Sequence, residues 1–363
     1  MRILVMGAGA VGSAIGGYLS ESHEVLLVGR GKHIEAIQNQ GLIIEGILGH
    51  STHRPSACGP DELKTHPFLK SPLDWIILSV KSPDTGPALQ ELIDAGIHSM
   101  ASGLVHIQNG MGNFETILET LGRSPGKAPV VLSGMTITGY EIDEPGKVRI
   151  TVYGGPGKIG WLSSSDPEGA EGAQRAEGAE RTEGGEGVEA SRSAQPSENS
   201  VMATQDIQAM ARQLTDLLAS TPLVFEYTEE MISFLWAKLL YNSCLNPLGA
   251  LLRVPYGELR NESTLSIMKQ VLREAFALAE FRNVPLFWKN ADEYFQHLLQ
   301  TLIPATARHE PSMLSDLNRG RKTEIQALNG YLLRNCESAG LEAPVNRTLT
   351  ELIEASTFLS RKP

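Results

Sequence analysis

Residues 1 to 30 read MRILVMGAGAVGSAIGGYLSESHEVLLVGR, and this stretch restricts the possible folds more than any other. Ile3 to Val5 form a short apolar run suited to a parallel strand buried on both faces. Gly7, Gly9 and Gly12 follow in GAGAVG, then a run of small residues that fits a helix through Tyr18, then HEVLLVGR as a second strand ending at Arg30. Strand, glycine turn, helix and strand within about 30 residues is the context that a GxGxxG spacing needs to bind a dinucleotide. The first glycine permits the tight turn, the second lets backbone approach a pyrophosphate, and the third lets helix pack on strand. The uncapped N–H groups of the helix start then face the phosphates. Gly7, Ala8, Gly9, Ala10, Val11 and Gly12 are therefore the expected cofactor-binding residues of an α/β, Rossmann-type domain, with a ligand-free glycine turn as the alternative.

The end of the second strand selects between cofactors. An acidic residue about 20 positions after the glycines would bond a ribose 2′-hydroxyl, whereas an arginine accommodates a 2′-phosphate. Here the chain has VGRGKH, with Arg30 and Lys32 and no carboxylate, which favours NADP over NAD unless both are solvated surface cations. Two further strand-like runs, DWIILSVKS and GLVHIQNGMGN, end in Lys81 and Asn109. In a doubly wound sheet ligands lie across the carboxyl ends of the strands, so both residues are candidates for cofactor or substrate contacts. The alternative is turn chemistry, above all for Asn109 before Gly110. Residues 130–162 alternate β-rich runs with Pro-Gly turns and read as antiparallel strands completing the sheet. A helix over 206–219 and the strand PLVFEY close the first domain, placed at 1–228.

Inside that domain lies a segment of another kind. Residues 163–200 carry nine acidic and three basic residues and no aromatic one. Such a composition buries too little apolar surface to offset its ordering entropy, so 163–204 reads as a disordered acidic loop, with an interaction tail or lid as the alternative. It accounts for over half of the formal charge of -11, and the acidic balance argues against nucleic-acid partners. Cys58, Cys244 and Cys336 are odd in number and far apart, which indicates neither a disulfide framework nor a zinc site; no metal is expected. The N-terminus lacks the zones of a signal peptide and no apolar run approaches the roughly 20 residues that cross a bilayer, so a cytoplasmic protein without membrane partners is expected.

From residue 229 to 363 the pattern changes to apolar residues at three- and four-residue spacing, in FLWAKLLYNSCLNPLGALL, LSIMKQVLREAFALAEFRN, ADEYFQHLLQTLI, KTEIQALNGYLLRNCESAG and NRTLTELIEASTFL. This predicts an all-helical second domain, and a cleft between two such domains is a usual place for a substrate. In the first of these helices Lys238, Asn242 and Asn246 recur every four residues and so share one face. Among Trp236, Leu239, Leu240, Leu245 and Leu248, that stripe faces either solvent or a cleft that holds something anionic or carbonyl-bearing. Cys244 has no neighbouring histidine and reads as a small packed side chain. Further on, in PSMLSDLNRGRKTEIQALNG, Ser312 and Asp316 would cap or open a helix. Glu324 lies among apolar positions where a carboxylate wants a cation, for which Lys238 is the obvious partner.

GAGAVG, VKS, QNGMGN, WAKLLYNSCLNPLGAL and SMLSDLNRGRKTEIQALNGYLL followed by PVNRTL together resemble the ketopantoate reductases (2-dehydropantoate 2-reductases), across the whole chain except the acidic segment. The resemblance implies NADPH-dependent reduction of 2-dehydropantoate to pantoate, the reductive step of pantothenate biosynthesis. By match it makes Lys238 the proton donor to the substrate carbonyl, and Asn242, Asn246 and Ser312 substrate contacts. It assigns Glu324 to the cofactor's ribose and places Lys81 and Asn109 near the nicotinamide, with Asn109 also toward substrate. A lysine at its reference pKa of roughly 10.4 would serve without large tuning. One departure is Tyr256 in VPYGEL, where members often carry an asparagine that touches substrate. It leaves open a related reductase or dehydrogenase of another 2-oxo or 2-hydroxy acid. A non-catalytic NADP-sensing protein is the alternative of another class. The partner implied is a small 2-oxo acid, with a homodimer left open.

Overall fold

The computed structural model describes residues 1–162 and 204–360. The acidic segment read as a loop lies outside the described residues, save Thr204, which is already the first residue of a helix. Contacts divide the chain into two compact units. One comprises Met1–Ser79, Ala88–Ile107 and Glu115–Glu229; the other comprises Val80–Pro87, Gln108–Phe114 and Glu230–Pro363.

Among its described residues the first unit has twelve strands: β1 (Arg2–Met6), β2 (Glu24–Val28), β3 (Leu42–Gly46), β4 (Ser51–His53), β5 (Ser56–Cys58), β6 (Leu73–Leu78), β7 (Ala101–Ile107), β8 (Val130–Met135), β9 (Gly139–Glu144), β10 (Lys147–Val152), β11 (Gly157–Gly160) and β12 (Phe225–Tyr227). Eight of them form one sheet in the order β12-β11-β8-β7-β6-β1-β2-β5. β1 runs parallel to both neighbours, with Ile3 opposite Val25 on one side and Trp75 on the other. The strand order runs in opposite directions away from β1, so the switch point where doubly wound sheets bind ligands lies between β1 and β6. Ile3, Val5, Val25, Leu27, Trp75, Ile77 and Val105 pack in one core, while Leu4, Leu26 and Ile76 are equally buried. Burial on both faces explains why these strands read as continuous apolar runs.

Residues 130–162 differ from the expectation of antiparallel strands completing that sheet. β8 joins it parallel to β7, and only β11 pairs antiparallel to β8. β9 and β10 form a hairpin that leaves the sheet and joins β3 and β4 in a second one, ordered β4-β3-β10-β9. Gly46 sits where a Cβ would lie 2.1 Å from the Ile150 carbonyl oxygen, so the glycine is what lets β3 close against β10. Around the strands lie α1 (Ala10–Leu19), α2 (Lys32–Gln40), α3 (Thr85–Asp94), α4 (Asn113–Gly122) and α5 (Thr204–Ala219).

From Glu230 onward the second unit is helical: α6 (Met231–Leu252), α7 (Glu262–Phe281), α8 (Ala291–His297), α9 (Ser312–Asn318), α10 (Asn329–Ser338) and α11 (Pro344–Leu359). α6 is buried nearly all round and packs against α7, α9 and α11. Pro247 lies inside it and cannot donate to the carbonyl four residues back. That carbonyl, of Ser243, instead accepts the Asn329 side chain of α10 at 3.1 Å. Asn329 also donates to Asn346 at 2.9 Å. The Glu274 carboxylate accepts from the Asn346 amide N–H and side chain, fastening α7 to the start of α11. The periodicity of residues 322–340 predicts one helix, but α10 begins only at Asn329. The stretch before it is a single 3₁₀ turn over Ile325–Ala327, preceded by Glu324.

Candidate functional site

In the first unit the glycine turn has a definite geometry. Gly7 adopts φ +110°, and its N–H and that of Ala8 both bond the Val28 carbonyl, at 3.0 and 2.8 Å. A Cβ on Gly12 would lie 2.3 Å from the Gly7 carbonyl oxygen, and one on Gly16 2.4 Å from a Leu27 methyl group. Gly9 differs: no atom comes within 4 Å of its Cβ position. Gly9 is the N-cap of α1, and no side chain caps that helix. Open space at the middle glycine beside uncapped N–H groups of Ala10, Val11 and Gly12 fits a pyrophosphate. Arg30 is exposed just beyond β2, and its guanidinium donates to the Glu91 carboxylate of α3 at 2.5 Å.

The second unit gathers the other candidates. Asn242 and Asn246 are 7% and 6% exposed, so the stripe on α6 does not face solvent. Lys238 stays partly accessible, yet its ammonium lies deep among protein atoms. That desolvation pulls its pKa down to about 8, against an opposing pull from the Glu324 carboxylate. The expectation of an untuned lysine is thus corrected, because burial disfavours the charged form. Cys244 is a free, buried thiol whose pKa burial raises, which suits packing and not nucleophilic chemistry.

Glu324 is the hub. Standing in the irregular turn and not within a helix, its carboxylate accepts the Asn109 side-chain amide at 3.0 Å and the Ser82 backbone N–H at 3.3 Å. Ser82 in turn donates its hydroxyl to the Asn109 carbonyl at 2.6 Å. Gly110 has φ +79°, and a Cβ there would lie 2.4 Å from the Ala327 carbonyl oxygen. That same oxygen accepts the Met111 N–H at 2.8 Å. Asn109-Gly110 is thus a turn with Gly110 at positive φ, and the Asn109 side chain is engaged by Glu324.

Lys81 pairs with Asp316 of α9, which is buried. Ser312 does not cap α9 with its side chain; it is the helix's first residue, after Pro311. Asp316 lies one turn further along the same face. Asn246, Ser312, Asp316, Glu324 and Asn109 line one cavity, with Met313 and Leu328 as its apolar members. Its volume is about 10 Å³, the room of a single water. Sequence reasoning missed Asp316 and Ser82 as members of this cluster. The four-residue step from Ser312 was a signal for the first; nothing local marks the second. Among the described residues no group of three or more His, Cys, Asp or Glu side chains converges as a metal site, and no helix is long and apolar enough to cross a membrane.

What this chemistry amounts to is an ammonium poised near neutrality, a carboxylate to hold its charge, and neutral donors around a small cavity, together with a turn shaped for a dinucleotide. Residues 3–163 match the family model described as ketopantoate reductase PanE/ApbA, and residues 230–357 the model for its C-terminal part. The 2-dehydropantoate 2-reductase of Aquifex aeolicus is 32% identical over all of this chain and 99% of its own. Among solved structures, a PanE/ApbA family ketopantoate reductase from Ralstonia eutropha is 26% identical with a TM-score of 0.75, covering the whole of both chains. D-mandelate dehydrogenase, solved with NADH and anilino(oxo)acetate, shares the fold at a TM-score of 0.74 and 22% identity, with both chains fully covered.

Proposed function

Because the chain belongs to the ketopantoate reductase family, we infer that it reduces 2-dehydropantoate to pantoate, in the cytoplasm, with a nicotinamide dinucleotide as reductant and NADPH as the preferred form. The observation that carries this reading is Lys238, a deep lysine with its pKa at about 8, on the same helix face as Asn242 and Asn246 and under the field of Glu324. The reduced nicotinamide, when bound, supplies a hydride to the C2 carbonyl of the 2-oxo acid. Lys238 hydrogen-bonds the carbonyl oxygen, stabilises the negative charge that develops on it, and gives it a proton. At about 8 it is a stronger acid than a solvated lysine and still mostly protonated at neutral pH. Glu324 opposes its deprotonation and, with Asn109, offers acceptors and donors toward the cofactor's ribose and nicotinamide. Asn242, Asn246 and Ser312 present donors to the substrate's remaining oxygens. The free N–H groups of Ala10, Val11 and Gly12 at the start of α1 would hold the pyrophosphate, and Arg30, released from Glu91, would take a 2′-phosphate.

A second reading, reduction of another 2-oxo acid on the same fold, is favoured by one feature: Tyr256 in place of the asparagine common in the family. Purified protein assayed for NADPH oxidation against a panel of 2-oxo acids, with NADH in parallel, separates them. A kcat/KM for 2-dehydropantoate no higher than for the others would sink the specific assignment, and equal use of NADH would sink the cofactor preference.

A further inference from the structure

Tyr256 does not line the cavity, yet it is held with more care than a spacer needs. It opens the 3₁₀ turn Tyr256–Leu259 that follows α6, it is 2% exposed, and its backbone N–H donates to the His309 carbonyl at 3.1 Å. Its ring lies edge-on to Tyr241, with centroids 5.8 Å apart, and tilted against His309 at 5.3 Å. Tyr241 is itself tied down by donating its hydroxyl to Thr306 at 2.9 Å. With the ring fixed on both sides, the hydroxyl has one place to go: it donates to the side-chain oxygen of Asn246 at 2.9 Å, in a buried bond.

An asparagine side chain has one acceptor end and one donor end. A phenol that donates to the carbonyl end turns that end toward its ring, and the end left for the cavity that Asn246 lines is its N–H₂. Burial, with the neighbouring Tyr241, holds the Tyr256 hydroxyl well above its ordinary 10, so it stays a donor throughout the working pH range.

We propose that Tyr256 is a positioning residue of the substrate site, whose hydroxyl fixes the Asn246 amide so that its N–H₂ points into the cavity as a donor for a substrate oxygen. This rests on the reading of the chain as a 2-oxo acid reductase. Tyr256 thus acts from one residue behind the cavity wall, and Asn246 makes the contact in a fixed orientation. The recognised group is an oxygen acceptor, as a carboxylate, carbonyl or hydroxyl provides, and a ligand that offers only donors there is excluded.

Tyr256→Phe removes the hydroxyl and keeps the ring. It is expected to raise KM for the 2-oxo acid about tenfold, the loss of one oriented hydrogen bond, with kcat within about twofold and the Kd of NADPH unchanged. A purely structural tyrosine would lower the melting temperature without this split. The decisive arm repeats the substitution in an Asn246→Ala background, where it should no longer move KM, because coupled residues are not additive. An unchanged KM for the single variant, or the same loss in both backgrounds, overturns the proposal. Should the phenylalanine variant misfold, Asn246→Asp serves: its carboxylate still accepts from Tyr256 but turns an acceptor to the cavity, so KM should rise well beyond that of Asn246→Ala, and equal losses overturn the proposal. Failure of the wild-type protein to reduce any 2-oxo acid is a different result, which removes the underlying reading and this proposal with it.

Discussion

The glycine turn and the polar cluster are both made of a handful of residues, but they are specified in opposite ways. In the turn, six consecutive residues from Gly7 to Gly12 carry most of the instruction locally, since a Cβ at Gly12 would strike the Gly7 carbonyl within the same loop, with Val28 and Ser79 bonding it from outside. In the cluster, Lys81, Asn109, Asn246 and Glu324 come from separate stretches of the chain, and each is held by a partner from another stretch. A site of the first kind depends on few contacts beyond its own loop. One of the second kind inherits the state of every contact that assembles it.

The largest expected effect is at the α6 lysine that feels the cluster's Glu324. Lys238→Ala should lower kcat by about 10³-fold, within the range for loss of a positioned proton donor, while isothermal titration still finds NADPH bound. Undiminished turnover would remove Lys238 from the chemistry.

The turn is tested by contrasting two of its glycines. Gly12→Ala forces a side chain onto backbone and should destabilise the protein by on the order of 3 kcal/mol, seen as a lower melting temperature. Gly9→Ala has open space and should leave the melting temperature unchanged, weakening only NADPH affinity. If the two variants melt alike, steric exclusion at Gly12 does not shape the turn.

A smaller effect probes how tertiary contacts hold the stripe. Asn329→Leu leaves the Ser243 carbonyl without its donor and should cost about 2 kcal/mol, the penalty of an orphaned buried group. Adding Pro247→Ala restores a main-chain N–H four residues on and should recover part of it. No recovery in chemical denaturation would mean that Asn329 matters through Asn346 alone.

The smallest effect is a shift in a pH profile. The proton donor must be charged, so kcat in the reductive direction should hold below the Lys238 pKa and fall as pH rises through about 8. Glu324 raises that pKa, so Glu324→Gln should move the falling limb to lower pH. A limb that stays in place, or moves up, would show that the two charges do not communicate.

The contrast also explains what could be read in advance. The strand–turn–helix–strand at the N-terminus and the helical periodicity after Glu230 were legible, because both are repeats of local geometry. The second sheet was not, because Leu42–Gly46 and the β9–β10 hairpin pair across about a hundred residues, and a β-rich run does not say which partner it takes. The helix predicted through Glu324 failed for a related reason: the apolar spacing continues, but Gly110 and Met111 dock on Ala327 and break the helix there.

The sequence by itself determined the turn at Gly7 to Gly12 and the shared face of Lys238, Asn242 and Asn246, since steric exclusion and helical pitch act over a few residues. Only the tertiary structure decided that this face is buried, that desolvation brings Lys238 to about 8, that Glu324 leaves its helix to meet Asn109 and Ser82, and that Tyr256 orients Asn246. Burial, electrostatic field and hydrogen-bond partnership are properties of what surrounds a residue, and those surroundings come from parts of the chain that the local pattern does not contain.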